Sequence, residues 1–317
     1  MENKNRANMY YFIVNGASRA GKGRKAWRRL ETELKRQGVP YRAWLTKYQG
    51  HAGELAKKLT ARHKGEVISL VVVGGDGTAN EAVNGIRDFN MVRFGYIPIG
   101  SGNDLGRGLG LPGDPLAALK LILTSKELYA MDVGKVSWGR KLEKSAYFNI
   151  SSGIGMDAMV CRCVNAAGMK VFLNKLHLGR LSYFAQTLLT LAELPEVRAS
   201  VQFGDGGRQR VHGLMCMAVM NQKYEGGGLP MAPLASDHDG KLSICYIHGM
   251  KKLKALCALV ALVKGKHVRF SGIGLKECSS CELWLQEPMA GHTDGEDLGD
   301  LVRLKYECLP GALQVMK

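Results

Sequence analysis

Two loops in the first third of the chain combine glycines with residues able to hold phosphate or a metal ion. GGDGT (Gly74 to Thr78) follows the apolar run VISLVVV and leads into a helical pattern through Asn80 and Glu81. Its glycines lack Cβ atoms, so the backbone can turn tightly and aim N–H groups at one point. The positive end of the following helix adds to the attraction for an anion. A carboxylate at Asp76 would repel polyphosphate unless a divalent cation lay between them, so Mg²⁺ with a nucleotide is the chemistry to expect. The alternative is a tight turn in which Asp76 or Thr78 merely caps the helix. PIGSGNDLGR (Pro98 to Arg107) ends a neighbouring apolar run and again joins glycines, a hydroxyl, an amide and a carboxylate. Two such loops from adjacent strand ends make one site.

A third loop, NGASRAGKG (Asn15 to Gly23), nearly spells a phosphate-binding P-loop as Gly16-x4-Gly21-Lys22, but Gly23 stands where that motif needs a hydroxyl for magnesium. An ordinary P-loop NTPase is therefore not expected. The glycines still allow amides near phosphate, with Arg19 and Lys22 adding charge; otherwise the loop is a flexible turn. No GxGxxG follows a strand, and HRD, DFG and GxSxG are absent.

The elements that carry these loops alternate. Strand-like MYYFIV, VPYRAWLT, VISLVVV and RFGYIPI are interleaved with helical patterns at Arg24 to Gln37, Gly53 to His63 and Thr78 to Arg87. This alternation predicts βαβ units around a mostly parallel sheet, and runs as apolar as VISLVVV predict helices on both faces. The expected fold is a Rossmann-like three-layer α/β domain over residues 1–134. Beyond it, KSAYFNISS, ASVQFGDGG, GLMCMAVMN and KLSICYI are short strands with turn signals, interrupted by one helical stretch from Met169 to Glu193. Residues 135–317 are thus expected to form an antiparallel β-sandwich-like domain with a helical insertion. The final strand pattern, DLVRLKYECLP, fits either domain.

Composition narrows the partners. The formal net charge of +16 draws anions, whether nucleic acid, nucleotide or lipid headgroup. The cations are dispersed and aromatics, at 7%, are not interleaved with them, so nucleic acid is not expected. Eight cysteines include a CxxC at Cys278 and Cys281, but no second metal half-site accompanies it, and the expectation is reduced thiols in a cytoplasmic protein. Polar MENKNRAN ahead of MYYFIVN does not read as an export signal. The longest apolar run, Ala255 to Val263, is too short to span a bilayer. Lys251, Lys252, Lys254, Lys264 and Lys266 bracket it, so that helix either packs in the core or rests on an anionic membrane interface.

GGDGT at 74–78, GSGND at 100–104, MDVGKV at 131–136, GGGLPMAPLASDHDGKLSI at 226–244 and DGE at 294–296 resemble, in that order, the diacylglycerol kinase catalytic-domain family, specifically its bacterial soluble lipid kinases and sphingosine kinase relatives. GGDGT alone is shared with NAD kinases and phosphofructokinases; the five ordered blocks cover nearly the whole chain. The resemblance implies two domains with ATP bound in the cleft between them. It implies nucleotide contacts from Asn15, Thr46, Gly75, Asp76, Gly77, Thr78, Ala79, Asn80, Glu81, Ser101 and Asp104, although Gly16 replaces the family's usual proline after Asn15. Asp76, Asp104 and Asp132 match the family's acidic positions and would share a water network around a catalytic Mg²⁺. Glu296 matches its general base. Without the resemblance, DGEDLGD reads as a solvated acidic loop. Ser236, Asp239 and Lys241 match a structural magnesium site built from two backbone carbonyls and one carboxylate; taken alone, Asp239-Gly240 reads as a hairpin turn.

The function implied is ATP- and Mg²⁺-dependent phosphoryl transfer to a lipid hydroxyl, with diacylglycerol the expected acceptor. The expected setting is the inner face of an anionic membrane, held peripherally and without a transmembrane segment, and a homodimer is open. Two alternatives share the GGDGT chemistry: a kinase for a soluble acceptor such as NAD, and a non-catalytic nucleotide-binding regulator.

Overall fold

The computed structural model describes residues 9–19, 21–166 and 196–317, so the helical stretch expected from Met169 to Glu193 lies outside the described residues. The chain divides between Met131 and Asp132, a few residues before the boundary expected at Gly134. The first unit also takes Gly311–Lys317, and the second is Asp132–Pro310.

The first unit runs β1 (Tyr10–Val14), α1 (Lys22–Arg36), β2 (Tyr41–Leu45), α2 (His51–Arg62), β3 (Ile68–Gly74), α3 (Asp76–Gly85), β4 (Val92–Pro98), α4 (Asp104–Gly108) and α5 (Pro115–Thr124). Its strands pair in parallel in the order β4-β3-β1-β2. Every residue of β3 is buried, as a strand covered on both faces requires. Trp27, Leu30 and Leu34 recur at helical spacing on α1 and pack with Leu119 and Ile122 of α5 against Phe12, Val71, Val73 and Ile97. On α2 and α3 the glycines set the approach: a Cβ at Gly85 would lie 2.1 Å from the Gly53 carbonyl oxygen. The expected strands and helices of this half are all present. Sequence reading placed no helix after the 98–107 loop, yet α5 starts with Asp114 capping the Ala117 N–H at 3.0 Å and Pro115 in the first turn, a regular start signal.

β5 (Leu128–Trp138) crosses into the second unit, which continues with β6 (Lys144–Phe148), β7 (Ser151–Gly155), α6 (Met156–Ala166), β8 (Val197–Phe203), β9 (Gln209–Met220), β10 (Leu242–His248), α7 (Lys252–Leu262), β11 (Ile273–Cys278), β12 (Ser280–Thr293) and β13 (Glu296–Met316). The pairs β5–β6, β7–β9, β7–β12, β8–β9, β8–β12, β9–β10, β10–β11 and β12–β13 are antiparallel. β8 pairs with residues 209–214 of β9 and 281–285 of β12. β7 pairs with residues 216–220 and 291–293 of the same two strands. β7 and β8 therefore fill consecutive halves of one gap, and α6 follows directly on β7. Gly134 is small because Phe148 lies across it; a Cβ there would come within 2.1 Å of the ring.

The final strand serves both units. Leu301, Leu304 and Tyr306 of β13 enter the second core. After Pro310 the same strand pairs in parallel with β4, through Gln314↔Arg93 and Val315↔Phe94, and Met316 enters the first core.

Candidate functional site

In the first unit, strand ends β3 and β4 bring GGDGT and PIGSGNDLGR together as expected. Their backbones touch: a Cβ at Gly100 would sit 2.6 Å from the Gly75 Cα, so Gly100 has no room for a larger residue, and a Cβ at Gly75 would be tight at 3.3 Å from the Gly100 Cα. Asp76, the first residue of α3, joins the two loops chemically. Its Oδ2 accepts the Asp104 N–H at 3.0 Å, and its Oδ1 accepts the Leu105 N–H at 3.2 Å and the Tyr96 hydroxyl at 3.3 Å. These amides open α4, so the carboxylate caps one helix while beginning another. Burial pushes the Tyr96 hydroxyl well above the usual tyrosine range, and the Asp76 charge adds to it, so Tyr96 remains a donor. Asp104 is buried and paired with Arg107. Asn103 holds a left-handed φ of 53° while its side chain accepts the Gly100 N–H at 2.8 Å, which shapes the loop tip.

The other expected nucleotide residues surround this pair with varied roles. Thr78, Ala79 and Asn80 are buried in the first turns of α3, and Gly77 is half-buried. Asn15 donates from its side chain to the Thr78 hydroxyl at 2.9 Å, tying the β1 loop to the GGDGT helix. Glu81 accepts the Ala52 N–H at 3.2 Å, across to α2. The Thr46 N–H extends the β1–β2 pairing to the Val14 carbonyl at 2.8 Å, and Ser101 stands exposed at its loop tip. NGASRAGKG is not an open cradle of amides. The N–H groups of Ala17, Ser18, Gly21, Lys22, Gly23 and Arg24 donate to acceptors within the loop and the adjoining Asn15. Gly23 departs from the P-loop pattern for a packing reason: a Cβ there would meet the Asn15 carbonyl oxygen at 2.3 Å.

In the second unit DGE forms the tip between β12 and β13. Thr293 pairs with Glu296 across Asp294 and Gly295, both with positive φ (44° and 84°), the geometry of a primed hairpin turn. This tip is not the solvated loop that its acidity suggests. Asp294 accepts the N–H groups of Asn149, Ile150 and Ser151 at 2.8, 2.9 and 2.9 Å, and returns its own N–H to the Ser151 carbonyl at 2.8 Å. Glu296 is the first residue past this anchor. Arg162 on α6 grips the outgoing strand, bonding Asp297 through two nitrogens at 3.0 and 3.1 Å and Asp300 at 2.9 Å.

His292, unassigned from sequence, lies fully buried beneath the turn. Its Nε2 meets Asp157 of α6 at 2.6 Å and Glu225 at 3.7 Å. Burial alone would lower its pKa, but the Asp157 charge and hydrogen bond, helped by Glu225 and Asp294, hold it up at about 9. The Gly295 N–H points at Nδ1 from 3.3 Å and favours a neutral ring. The short bond to a carboxylate and the nearby negative charges favour the protonated ring. Among the described residues, Asp157, Cys161 and His292 form the one group of three His/Cys/Asp/Glu donors within 4.8 Å of one another, and the His292–Asp157 bond spans it.

The remaining expected metal residues cluster in the long connection from β9 to β10. Asp239 accepts the Lys241 N–H at 3.0 Å in an Asx turn, and Ser236 bonds His238 at 3.2 Å. Asp239-Gly240 ends this connection, so it is not a two-residue hairpin. Asp132 lies here, with its Oδ2 accepting the Gly240 N–H at 2.7 Å and its own N–H donating to the Asp237 carbonyl at 2.6 Å. Cys278 and Cys281 are free thiols raised by burial, and neither belongs to a group of metal donors among the described residues.

Sequence reading missed the anchors Asp294, Asp157, Arg162 and Tyr96. A signal existed only for Asp294, since Asp-Gly between strand patterns marks a primed turn; the others have partners far away in sequence.

Comparison with known proteins agrees with this layout. Residues 9–136 match the family model of the diacylglycerol kinase catalytic domain, and residues 150–317 that of the YegS C-terminal NAD kinase beta sandwich-like domain. A Bacillus subtilis protein named as a lipid kinase, YtlR, is 26% identical over 92% of this chain and 94% of its own length. A diacylglycerol kinase of Mycobacterium tuberculosis is 25% identical over 96% and 94%. The crystal structure of a diacylglycerol kinase from Bacillus anthracis superposes with a TM-score of 0.75 at 22% identity, covering 99% of this chain and 98% of the other. An NAD kinase from Archaeoglobus fulgidus in complex with ATP gives 0.51 at 13%, covering 98% and 93%.

Proposed function

This chain belongs to the diacylglycerol kinase and YegS-type lipid kinase family, and from that premise we propose that it transfers the γ-phosphoryl group of ATP to a lipid hydroxyl, with diacylglycerol as the acceptor. The observation that carries the reading is Asp76 holding both glycine loops through the amides of Asp104 and Leu105. A carboxylate in that position suits a metal-bound polyphosphate, and the Gly75–Gly100 contact leaves the backbone bare of side chains where phosphates would approach. Asp76 and Asp104 are the residues that would hold Mg²⁺, which would offset the negative charge of the phosphates. Ser236, Asp239 and Lys241 are assigned to the second, structural ion; Asp132, expected in the catalytic network, bonds the Gly240 N–H of that turn instead and is grouped with them.

Glu296 is the proposed base. The acceptor hydroxyl oxygen bonds to the γ-phosphorus, its proton passes to the Glu296 carboxylate, and the bond to the β–γ bridging oxygen breaks, giving phosphatidate and ADP. Proton acceptance by a positioned carboxylate supplies about 10²–10⁴ in rate. The pinning of Asp294 supports this role, because a base must be held within hydrogen-bond reach of its substrate.

The test is incubation of the purified protein with labelled ATP, Mg²⁺ and mixed micelles carrying diacylglycerol, a sphingoid base, phosphatidylglycerol or no lipid, with NAD as a soluble control. Label in diacylglycerol is expected. Label in another lipid would replace the acceptor, and label in NAD alone would overturn the lipid reading.

A further inference from the structure

Helix α7 has two apolar faces. Ala255, Ala258, Leu259 and Leu262 are buried, with the two alanines packing on Met156, Met215 and Met250. That satisfies the core-packed reading of ALCALVALV, but only for half the helix. The outward residues Leu253, Val260 and Val263 are 75%, 56% and 57% exposed, and Cys257 between them is exposed as well. Positions 253, 257 and 260 recur at helical spacing and form one stripe, where a helix facing water would carry polar side chains. Leu234 adjoins the end of the helix and is 79% exposed. It follows Pro233, whose ring, with that of Pro230, stands against Gly265.

The charges around this stripe have one sign. Lys251, Lys252 and Lys254 precede it and Lys264, Lys266 and Arg269 follow it, and no acidic residue occurs between Asp239 and Glu277. We infer that the outer face of α7, with Leu234, is a docking surface for a bilayer of anionic phospholipid, the helix lying in the plane of the interface. This deepens the lipid-kinase reading and rests on it for the choice of a bilayer over other acidic surfaces.

The arrangement suits that occupant. An apolar stripe with lysines at its ends lets the side chains enter the acyl boundary while the ammonium groups reach up to the phosphates. A second copy of the chain fits poorly. A stable protein interface needs ~800 Å² from each partner, more than a few side chains on one short helix supply, and like charges would face each other across it.

The experiment is flotation with vesicles of phosphatidylcholine, alone or mixed with phosphatidylglycerol, in the absence of ATP. Wild type is expected to float with the anionic vesicles and not with the neutral ones. The Leu253→Glu, Val260→Glu double variant should partition at least ~100-fold more weakly, because two inserted side chains are lost and two negative charges gained. Lys264→Gln and Lys266→Gln should each weaken partition about fivefold. All four positions are exposed, so the variants should melt as wild type does and phosphorylate a short-chain, monomeric diacylglycerol at the wild-type rate. Equal flotation of wild type and the double variant, or no flotation of wild type on anionic vesicles, overturns the inference. Flotation lost in the double variant by a protein that phosphorylates no lipid keeps the docking surface and sinks the kinase reading alone.

Discussion

Replacing Asp294 tests whether the DGE turn is anchored or merely exposed. Its carboxylate accepts three main-chain N–H groups, two on Oδ1 and one on Oδ2. Asn149, Ile150 and Ser151, which carry them, are at most 5% exposed. Asp294→Ala strips all three donors of their partner. At about 1–3 kcal/mol for each buried donor left unpaired, with some relief from water at the turn, the expected loss is about 3–5 kcal/mol. Asp294→Asn is predicted to be milder for a geometric reason. An amide oxygen in the Oδ1 position keeps the Ile150 and Ser151 bonds without their charge, while its NH₂ faces the Asn149 N–H, so about 1.5–2.5 kcal/mol is lost. Asn also tolerates the left-handed backbone, so the turn itself survives. Urea denaturation gives the two losses, and hydrogen exchange of amides 149–151 locates them; protection there should fall in the order wild type, Asn, Ala. Two variants within about 1 kcal/mol of wild type, with unchanged exchange at 149–151, would refute the anchor.

Three further outcomes follow from the same geometry. His292 has a folded pKa of about 9, above an ordinary histidine, so its contribution to stability is complete below about pH 6.5 and fades as pH rises through 9. His292→Gln should therefore cost about 2–3 kcal/mol near neutrality and much less by about pH 10, and a pH-independent difference in denaturation midpoint would show that the ring is not a buried cation. Glu296→Gln should lower kcat by about 10²–10⁴ with nucleotide affinity retained, read by turnover beside calorimetric ATP binding; wild-type turnover would remove the base assignment. Gly23→Ser, which restores the P-loop hydroxyl, should destabilise the first unit by about 1–3 kcal/mol because its Cβ collides with the Asn15 carbonyl. An unchanged melt would show that this loop gives way at little cost.

Much of the first unit was legible because its information is local. The period of Trp27, Leu30 and Leu34 marks a helix wherever it occurs, β3 announces its two covered faces by its composition, and loops 74–78 and 98–107 stand out through glycines beside carboxylates. Ordered motifs then carried the family and, with it, the positions of Asp76 and Glu296. The pairings were not legible, because hydrogen bonds and buried charges are satisfied by whatever the folded chain brings near, and no local period encodes that. Asp76 reaches amides 28 and 29 residues away. His292 and Asp157 meet across 135 residues, and Asp294 closes on Asn149 across 145. In the same way, the run ALCALVALV fixed a helix with basic ends but could not say which face the core would take. Only the packing of Ala255 and Ala258 onto the core around Met215 decided that Leu253, Val260 and Val263 would be left facing outward.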